Sequence, residues 1–282
     1  MSKPLLHKLA LHLGLIALGI IVLIPFAWLI IASLKPSEAF FSALFLPPGD
    51  GLFGVDWGAL TLDNYTNLFG LGFGRALLNS IFYSSAAAIF ATLFCASTGY
   101  ALAKFRFRGN GLLTLLILGA LIVPPSLLIA PGYELLYDLG LLDTAWGLLL
   151  PAFAPAFGVF LFRQAVLQSV PDQLLEAARI DGCSELSIFF VIVLPLIRPM
   201  IGAFMLITFL AMWNNFISPQ IVIQSADKQP LSVAIAQLRG VYRTDYGLLM
   251  AATVVSVAPV ALLFLILQKQ FISGLTSGAV KG

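Results

Sequence analysis

Glu176-Ala177-Ala178-Arg179-Ile180-Asp181-Gly182 places three charges in seven residues of a chain that is only 10% charged. Two carboxylates and a guanidinium on one short segment suit docking through hydrogen bonds and ion pairs. The sequence contains no GxxxxGK[ST], no HExxH and no GxSxG, so a phosphate loop, a zinc-protease helix and a nucleophile elbow are all missing. Cys95 and Cys183 have no histidine or second cysteine at a ligand spacing, and they read as small packing residues. His7 and His12 read as interfacial. No catalytic residue, metal ligand or cofactor is expected, and no nucleic-acid partner. Trp213-Asn214-Asn215-Phe216 offers amides and aromatic faces. That composition suits either a neutral polar ligand or hydrogen bonds to a neighbouring helix.

The elements that carry these residues are apolar. The chain is 60% hydrophobic, with a mean hydropathy of +1.00, outside the range of soluble domains. Six stretches lack Asp, Glu, Lys and Arg: Leu9–Leu34, Ala76–Ala103, Gly109–Tyr133, Thr144–Phe162, Pro199–Ala226 and Tyr246–Gln268. About 20 helical residues cross a bilayer, and helices satisfy the backbone there. The sequence thus predicts an all-α polytopic protein with six spans. The first stretch is too long for the apolar region of a signal peptide, and no small-residue cleavage site follows it. With the N-terminus inside, ten Lys and Arg fall on the cytoplasmic side and five outside, which predicts two cytoplasmic termini. Lys104-Phe105-Arg106-Phe107-Arg108 is then a positive-inside anchor. Pro124, Pro125 and Pro219 break spans three and five, and such breaks either border a transport pathway or serve packing.

The segment between Arg163 and Arg198 is the longest cytoplasmic one. Five acids and bases within it (Asp172, Glu176, Arg179, Asp181, Glu185) would cost on the order of 12–17 kcal/mol at span centres, so it lies outside the hydrocarbon. Ser169 is the expected N-cap of a short helix, with Pro171 in its first turn. Leu174, Leu175 and Ala178 form its apolar stripe, and Gly182 stops it in the left-handed region. A second helix, capped by Ser184, is expected to run from there into span five. On the outer side, Thr61–Phe69 reads as a short helix with Thr61 as its cap. An acidic polar face on the cytoplasmic helix favours a protein partner over the lipid surface.

Glu-Ala-Ala, three residues, Gly, nine residues, Ile-x-Leu-Pro resembles the signature loop of bacterial ABC-importer permeases. Here it is Glu176-Ala177-Ala178, Gly182 and Ile192-Val193-Leu194-Pro195. Tyr100–Gly109, Gly140–Pro151, Trp213–Phe216, Tyr246–Val260 and Gln268–Gly282 are similar to carbohydrate-importer permeases. Within these the chain looks like the second permease of maltose- and oligosaccharide-type systems, from about Leu9 to Gly282 and most weakly over Phe40–Gly58.

The resemblance implies a subunit forming half of a translocation pore for a disaccharide or oligosaccharide, in a bacterial inner membrane. Its implied domains are a cytoplasmic N-terminus (residues 1–8), a six-helix permease domain (9–271, with the coupling loop at about 164–198) and a cytoplasmic tail (272–282). Its implied partners are a homologous permease in a heterodimer, a dimer of ATP-binding subunits, an extracytoplasmic sugar-binding protein, membrane lipid and the sugar itself. Glu176, Ala177, Ala178, Asp181, Gly182, Leu194 and Pro195 match the coupling positions. Gly182 would make the turn, Ala177 and Ala178 the close approach, and Glu176 a polar contact. Gly274, Leu275, Thr276, Ser277 and Gly278 match a tail that reaches between ATPase subunits. Arg239, Tyr242 and Arg243 match an outer loop that touches the binding protein, and Trp213, Asn214 and Asn215 are pathway candidates. A stand-alone secondary transporter or channel for a small polar solute is the competing class. It calls for acids inside the membrane, and the six stretches hold none.

Overall fold

The computed structural model describes residues 3–239 and 244–276. In chain order its helices are α1 (Lys3–Ser33), α2 (Asp63–Gly70), α3 (Phe73–Lys104), α4 (Asn110–Ala120), α5 (Ile129–Asp138), α6 (Ala145–Ala152), α7 (Ala156–Ser169), α8 (Asp172–Ile180), α9 (Glu185–Ile188), α10 (Leu194–Leu196), α11 (Arg198–Trp213), α12 (Ile217–Val222), α13 (Leu231–Gln237) and α14 (Tyr246–Thr276). Among the described residues there is no strand, only one isolated bridge between Pro48 and Val55. The fold is all-α, as the charge-free stretches predict.

Three helices are each long and apolar enough to cross a membrane: α1 from His7, α3, and α14 to Ile266. They coincide with three of the six expected spans. The other three expected spans are not single helices. Each is a bent pair: α4 with Pro125–Asp138 at 99°, α6 with α7 at 40°, and Glu185–Leu196 with α11 at 82°. Counting each pair as one crossing gives six.

Proline accounts for all three bends. Pro125 excludes helical backbone at Pro124, which is extended (φ −63°, ψ 128°). Pro155 is extended in the same way ahead of α7. At the third bend Ile197 leaves the helical region and Pro199 opens the first turn of α11. The run after Ser184 therefore does not continue straight into span five. It also contains a π-turn over Phe189–Val193, and Pro195 follows it with no N–H to complete a regular ladder.

The chain divides into two compact units, Met1–Gly74 with Ala234–Pro259, and Arg75–Val233 with Val260–Gly282. In the first, Leu15, Ile21, Leu23 and their neighbours on α1 are exposed, as a lipid-facing surface requires. Asn64 holds α2 to the end of α1 by donating its amide to the Ser33 and Lys35 carbonyls at 2.8 Å each. Phe40 stacks on Tyr246 at 5.0 Å. The helix predicted at Thr61–Phe69 begins at Asp63 with Leu62 as its N-cap residue, and the Thr61 hydroxyl accepts the Asp63 N–H at 3.0 Å.

The second unit holds the charged loop. Its main core joins α3, α7 and α11 to the segment from Val170 to Val193, with Cys95, Phe162, Val166 and Phe204 at its centre. Cys95 is a buried packing residue whose thiol donates to the Pro155 carbonyl at 3.7 Å.

Candidate functional site

α8 ends as its glycine predicts. Gly182 has φ +82°. Its N–H donates to the Arg179 carbonyl at 3.1 Å, and the Cys183 N–H donates to the Ala178 carbonyl at 3.0 Å. These two bonds make a Schellman stop. Ser184 then caps α9, its hydroxyl accepting the Ser187 N–H at 3.2 Å. Ser169 does not cap α8. It is the last residue of α7, and Pro171 occupies the N-cap position without a side-chain bond. Two helices thus meet within three residues, and the loop has no room for a free serine cap.

One face of α8 is fastened to the spans. Leu175 is 1% exposed and Ala178 7%, both in the core with Phe162, Ile188 and Val193. Ala178 therefore lets α8 approach its own protein, whereas Ala177 faces outward. Lys104, at the end of α3, donates to the Val170 carbonyl at 2.7 Å and to the Asp172 carboxylate at 2.6 Å. The hydrogen bond from Lys104, with its charge, holds the Asp172 carboxyl below the usual carboxylate range. Arg179 Nε meets Glu185 at 2.6 Å across the glycine turn. That bond keeps the guanidinium protonated beyond its ordinary range. Tyr100 donates to the same carboxylate at 3.0 Å, and Arg179 lies 5.9 Å from the centre of the Phe105 ring.

The opposite face is exposed among the described residues. Glu176, Ala177, Asp181 and Gly182 are exposed, Ile180 is 86% exposed and Leu186 72%. Leu194 is half-buried and Pro195 exposed. An apolar Ile180 beside two acids is suited to entering a protein cleft. Sequence reasoning missed Ile180, although a signal existed. Five positions from Leu175 is about 140° around a helix at 100° per residue, so Ile180 falls off the buried stripe. It also missed that Tyr100 and Lys104 join the loop, which they do only through folding.

The pathway candidates separate. Trp213 is buried and stacks on Phe209 at 5.5 Å. Asn214 turns its amide back to the Leu210 carbonyl at 2.9 Å. Asn215 alone of the three lines a cavity of about 390 Å³, shared with Tyr133, Ser218, Gly147, Met212 and Pro125. The proline break after α4 borders this cavity, and α12, which carries Pro219, forms part of its wall.

Asp143 ties the wall together from the loop before α6. Its carboxylate accepts from Lys228 Nζ (2.8 Å), the Ser225 N–H (2.8 Å) and the Gln224 N–H (3.0 Å). Those bonds hold its pKa well below the usual carboxylate range. A depressed carboxylate contributes stability above its unfolded pKa, and the contribution is lost only as pH falls through the folded value. The tie should therefore persist at pH 4, where ordinary aspartates begin to protonate. Asp143→Asn should speed exchange of the Gln224 and Ser225 amides by about tenfold, as for loss of charge-assisted bonds. Hydrogen exchange by mass spectrometry reads this, and unchanged protection would discount the tie.

Arg239 is exposed, whereas Tyr242 and Arg243 lie outside the described residues. Gly274, Leu275 and Thr276 are the last residues of α14; Ser277 and Gly278 also lie outside.

Residues 88–277 match the model of the family described as binding-protein-dependent transport system inner membrane component. The chain belongs to that family. The matched stretch includes the whole of the α8–α9 loop. This permease has relatives of about its own length. It is 38% identical to the arabinooligosaccharides transport system permease protein of Halalkalibacterium halodurans, over 100% of this chain and 99% of the relative. It is 34% identical to the diacetylchitobiose uptake system permease protein of Streptomyces coelicolor, over 96% and 88%. Its fold matches a chain in the crystal structure of a bacterial ABC transporter involved in import of the acidic polysaccharide alginate. The TM-score is 0.78 at 22% identity, with 96% of this chain and 99% of the other covered.

Proposed function

We propose that this permease imports a disaccharide or oligosaccharide, forming half of a pore with a homologous subunit. Two ATP-binding subunits drive it and an extracytoplasmic sugar-binding protein feeds it. The observation that carries the reading is the two-sided α8. Its inner face is fastened to α3 and α7, and its outer face presents Glu176, Ala177, Ile180 and Asp181 to a partner. In this mechanism ATP closes the ATPase dimer, the docked helices move together and the pore opens outward. Hydrolysis then resets it. The names of the sugar-transport relatives support the substrate class. The cavity beside Asn215, Tyr133 and Ser218 supplies neutral donors and acceptors of the kind a sugar uses.

Co-expression with tagged ATP-binding subunits should retain the chain on an affinity column. In proteoliposomes a cognate sugar with its binding protein should stimulate ATP turnover. The chain purified alone should neither bind nor hydrolyse ATP, since it lacks a phosphate loop. Failure to co-purify, or turnover by the chain alone, would overturn the reading.

The same reading puts the α8–α9 loop on the cytoplasmic side. Cys183 is exposed and Cys95 buried. A membrane-impermeant maleimide should label Cys183 in inside-out vesicles and leave it unlabelled in intact spheroplasts. The opposite pattern would invert the topology.

A further inference from the structure

Beside the inner face of α8 lies a polar cleft of about 910 Å³. The end of α3, the turn from Phe105 to Asn110, α7 and α8 enclose it. Four cationic side chains line it, Lys104, Arg106, Arg163 and Arg179, with two carboxylates, Asp172 and Glu176. Two of the cations are already paired, Lys104 with Asp172 and Arg179 with Glu185, both at 2.6 Å. Arg106 and Arg163 are left against Glu176, and none of the three forms an ion pair among the described residues. Arg163 Nε is buried and has no hydrogen-bond partner. A buried guanidinium nitrogen without an acceptor is costly. The cleft therefore holds one excess positive charge and an orphaned donor.

We infer that this cleft binds a phosphate group, and specifically the phosphodiester headgroup of an anionic phospholipid. The charge matches: a phosphodiester carries one negative charge, which cancels the excess of Arg106 and Arg163 over Glu176. The place matches too. The cleft lies where the long span α3 ends at Lys104, and Phe107 on the adjoining turn is exposed. An aromatic beside a basic cleft at the end of a span is a composition suited to the headgroup layer. A guanidinium binds phosphate oxygens through its forked N–H groups. The turn itself is ordered, with the Asn110 amide donating to the Leu102 and Phe105 carbonyls at 3.2 and 2.9 Å. Glu176 is shared between the cleft and the outer surface of α8, so a bound headgroup would sit next to the docking face. The lipid assignment rests on the proposed cytoplasmic orientation of this end of the bundle.

The test uses the delipidated full chain in a neutral detergent, read by native mass spectrometry and calorimetry. Dioctanoyl phosphatidylglycerol, dioctanoyl phosphatidylcholine and sodium phosphate are titrated separately. One phosphatidylglycerol should be retained, and phosphatidylcholine should not be at the same concentration. Arg106→Gln and Arg163→Gln should each weaken retention about tenfold, in line with loss of a charge-assisted bond. Arg163→Lys should restore part of it, because lysine keeps the charge but not the fork. Arg106 is exposed on a turn, so its variant keeps the test open if Arg163→Gln misfolds. Arginine-dependent binding of inorganic phosphate without phosphatidylglycerol would keep the anion site and overturn its assignment to lipid. No binding of either, or retention by both glutamine variants equal to that of the unsubstituted protein, would overturn the site. The readout needs neither ATPase nor sugar, so its failure leaves the permease reading untouched.

Discussion

Gly182→Leu is expected to insert normally and to lose coupled sugar uptake. The added Cβ meets open space, with nothing within 4 Å. The penalty is conformational rather than a clash. A leucine held at φ +82° costs about 1–2 kcal/mol, roughly a factor of 5–30 in the population of the native turn. Two things depend on that turn. It sets the angle between α8 and α9, and it brings Arg179 to Glu185 at 2.6 Å. Once the turn relaxes, the exposed face with Ile180 and Glu176 no longer sits at a fixed orientation to the spans. Uptake in proteoliposomes should fall by at least the conformational factor, with ATPase pull-down weakened or uncoupled from transport. Gly182→Asn is the matched control, because asparagine tolerates the left-handed region and should keep most of the activity. Wild-type uptake by the leucine variant would mean that the loop does not transmit motion.

Glycine at this position is also where the sequence was most informative. A left-handed stop between two helices leaves few alternatives to glycine, so Gly182 and Ser184 declared the α8–α9 corner locally. The long spans were legible for a similar reason, since α1, α3 and α14 need only length and lack of charge. Hydropathy cannot see angles, however. It registers Gly109–Tyr133 as one apolar stretch, whereas Pro124 and Pro125 turn the chain by 99°. The loop's anchors were invisible for a further reason. Lys104 reaches Asp172 from 68 residues away, and Tyr100 reaches Glu185 from 85. No periodicity links such positions. Ser169 misled because N-cap chemistry is local but the end of α7 had already claimed that residue. Trp213, Asn214 and Asn215 stayed open because an aromatic beside two amides describes a packed helix end as well as a sugar platform.

Gly99→Leu should do the most damage to the folded protein of any substitution considered above. Gly99 lies on α3 where α7 crosses it. A Cβ there would stand 2.7 Å from the Arg163 nitrogen, 2.8 Å from Phe162 Cβ and 2.9 Å from the Phe162 carbonyl carbon. Two of these are backbone atoms and the third is fixed to the backbone. None can yield by rotating, so the helices must separate. Overpacking a close-packed core costs about 1–3 kcal/mol or more, and separation also strips cover from Phe162, which is fully buried. Tyr100 and Lys104 follow on α3, so the displacement reaches both anchors of the α8–α9 loop. Gly158 provides the internal comparison. Its added Cβ would meet the ring of Phe204 at 2.4 Å and Cys95 Sγ at 2.7 Å, both side-chain atoms that can move. Gly99→Ala should therefore lower the thermal midpoint in detergent more than Gly158→Ala, and Gly99→Leu should leave little monodisperse protein after heating. Size-exclusion chromatography of heated samples measures the order directly. A Gly99→Leu protein as stable as wild type would show that α3 and α7 do not meet at this glycine.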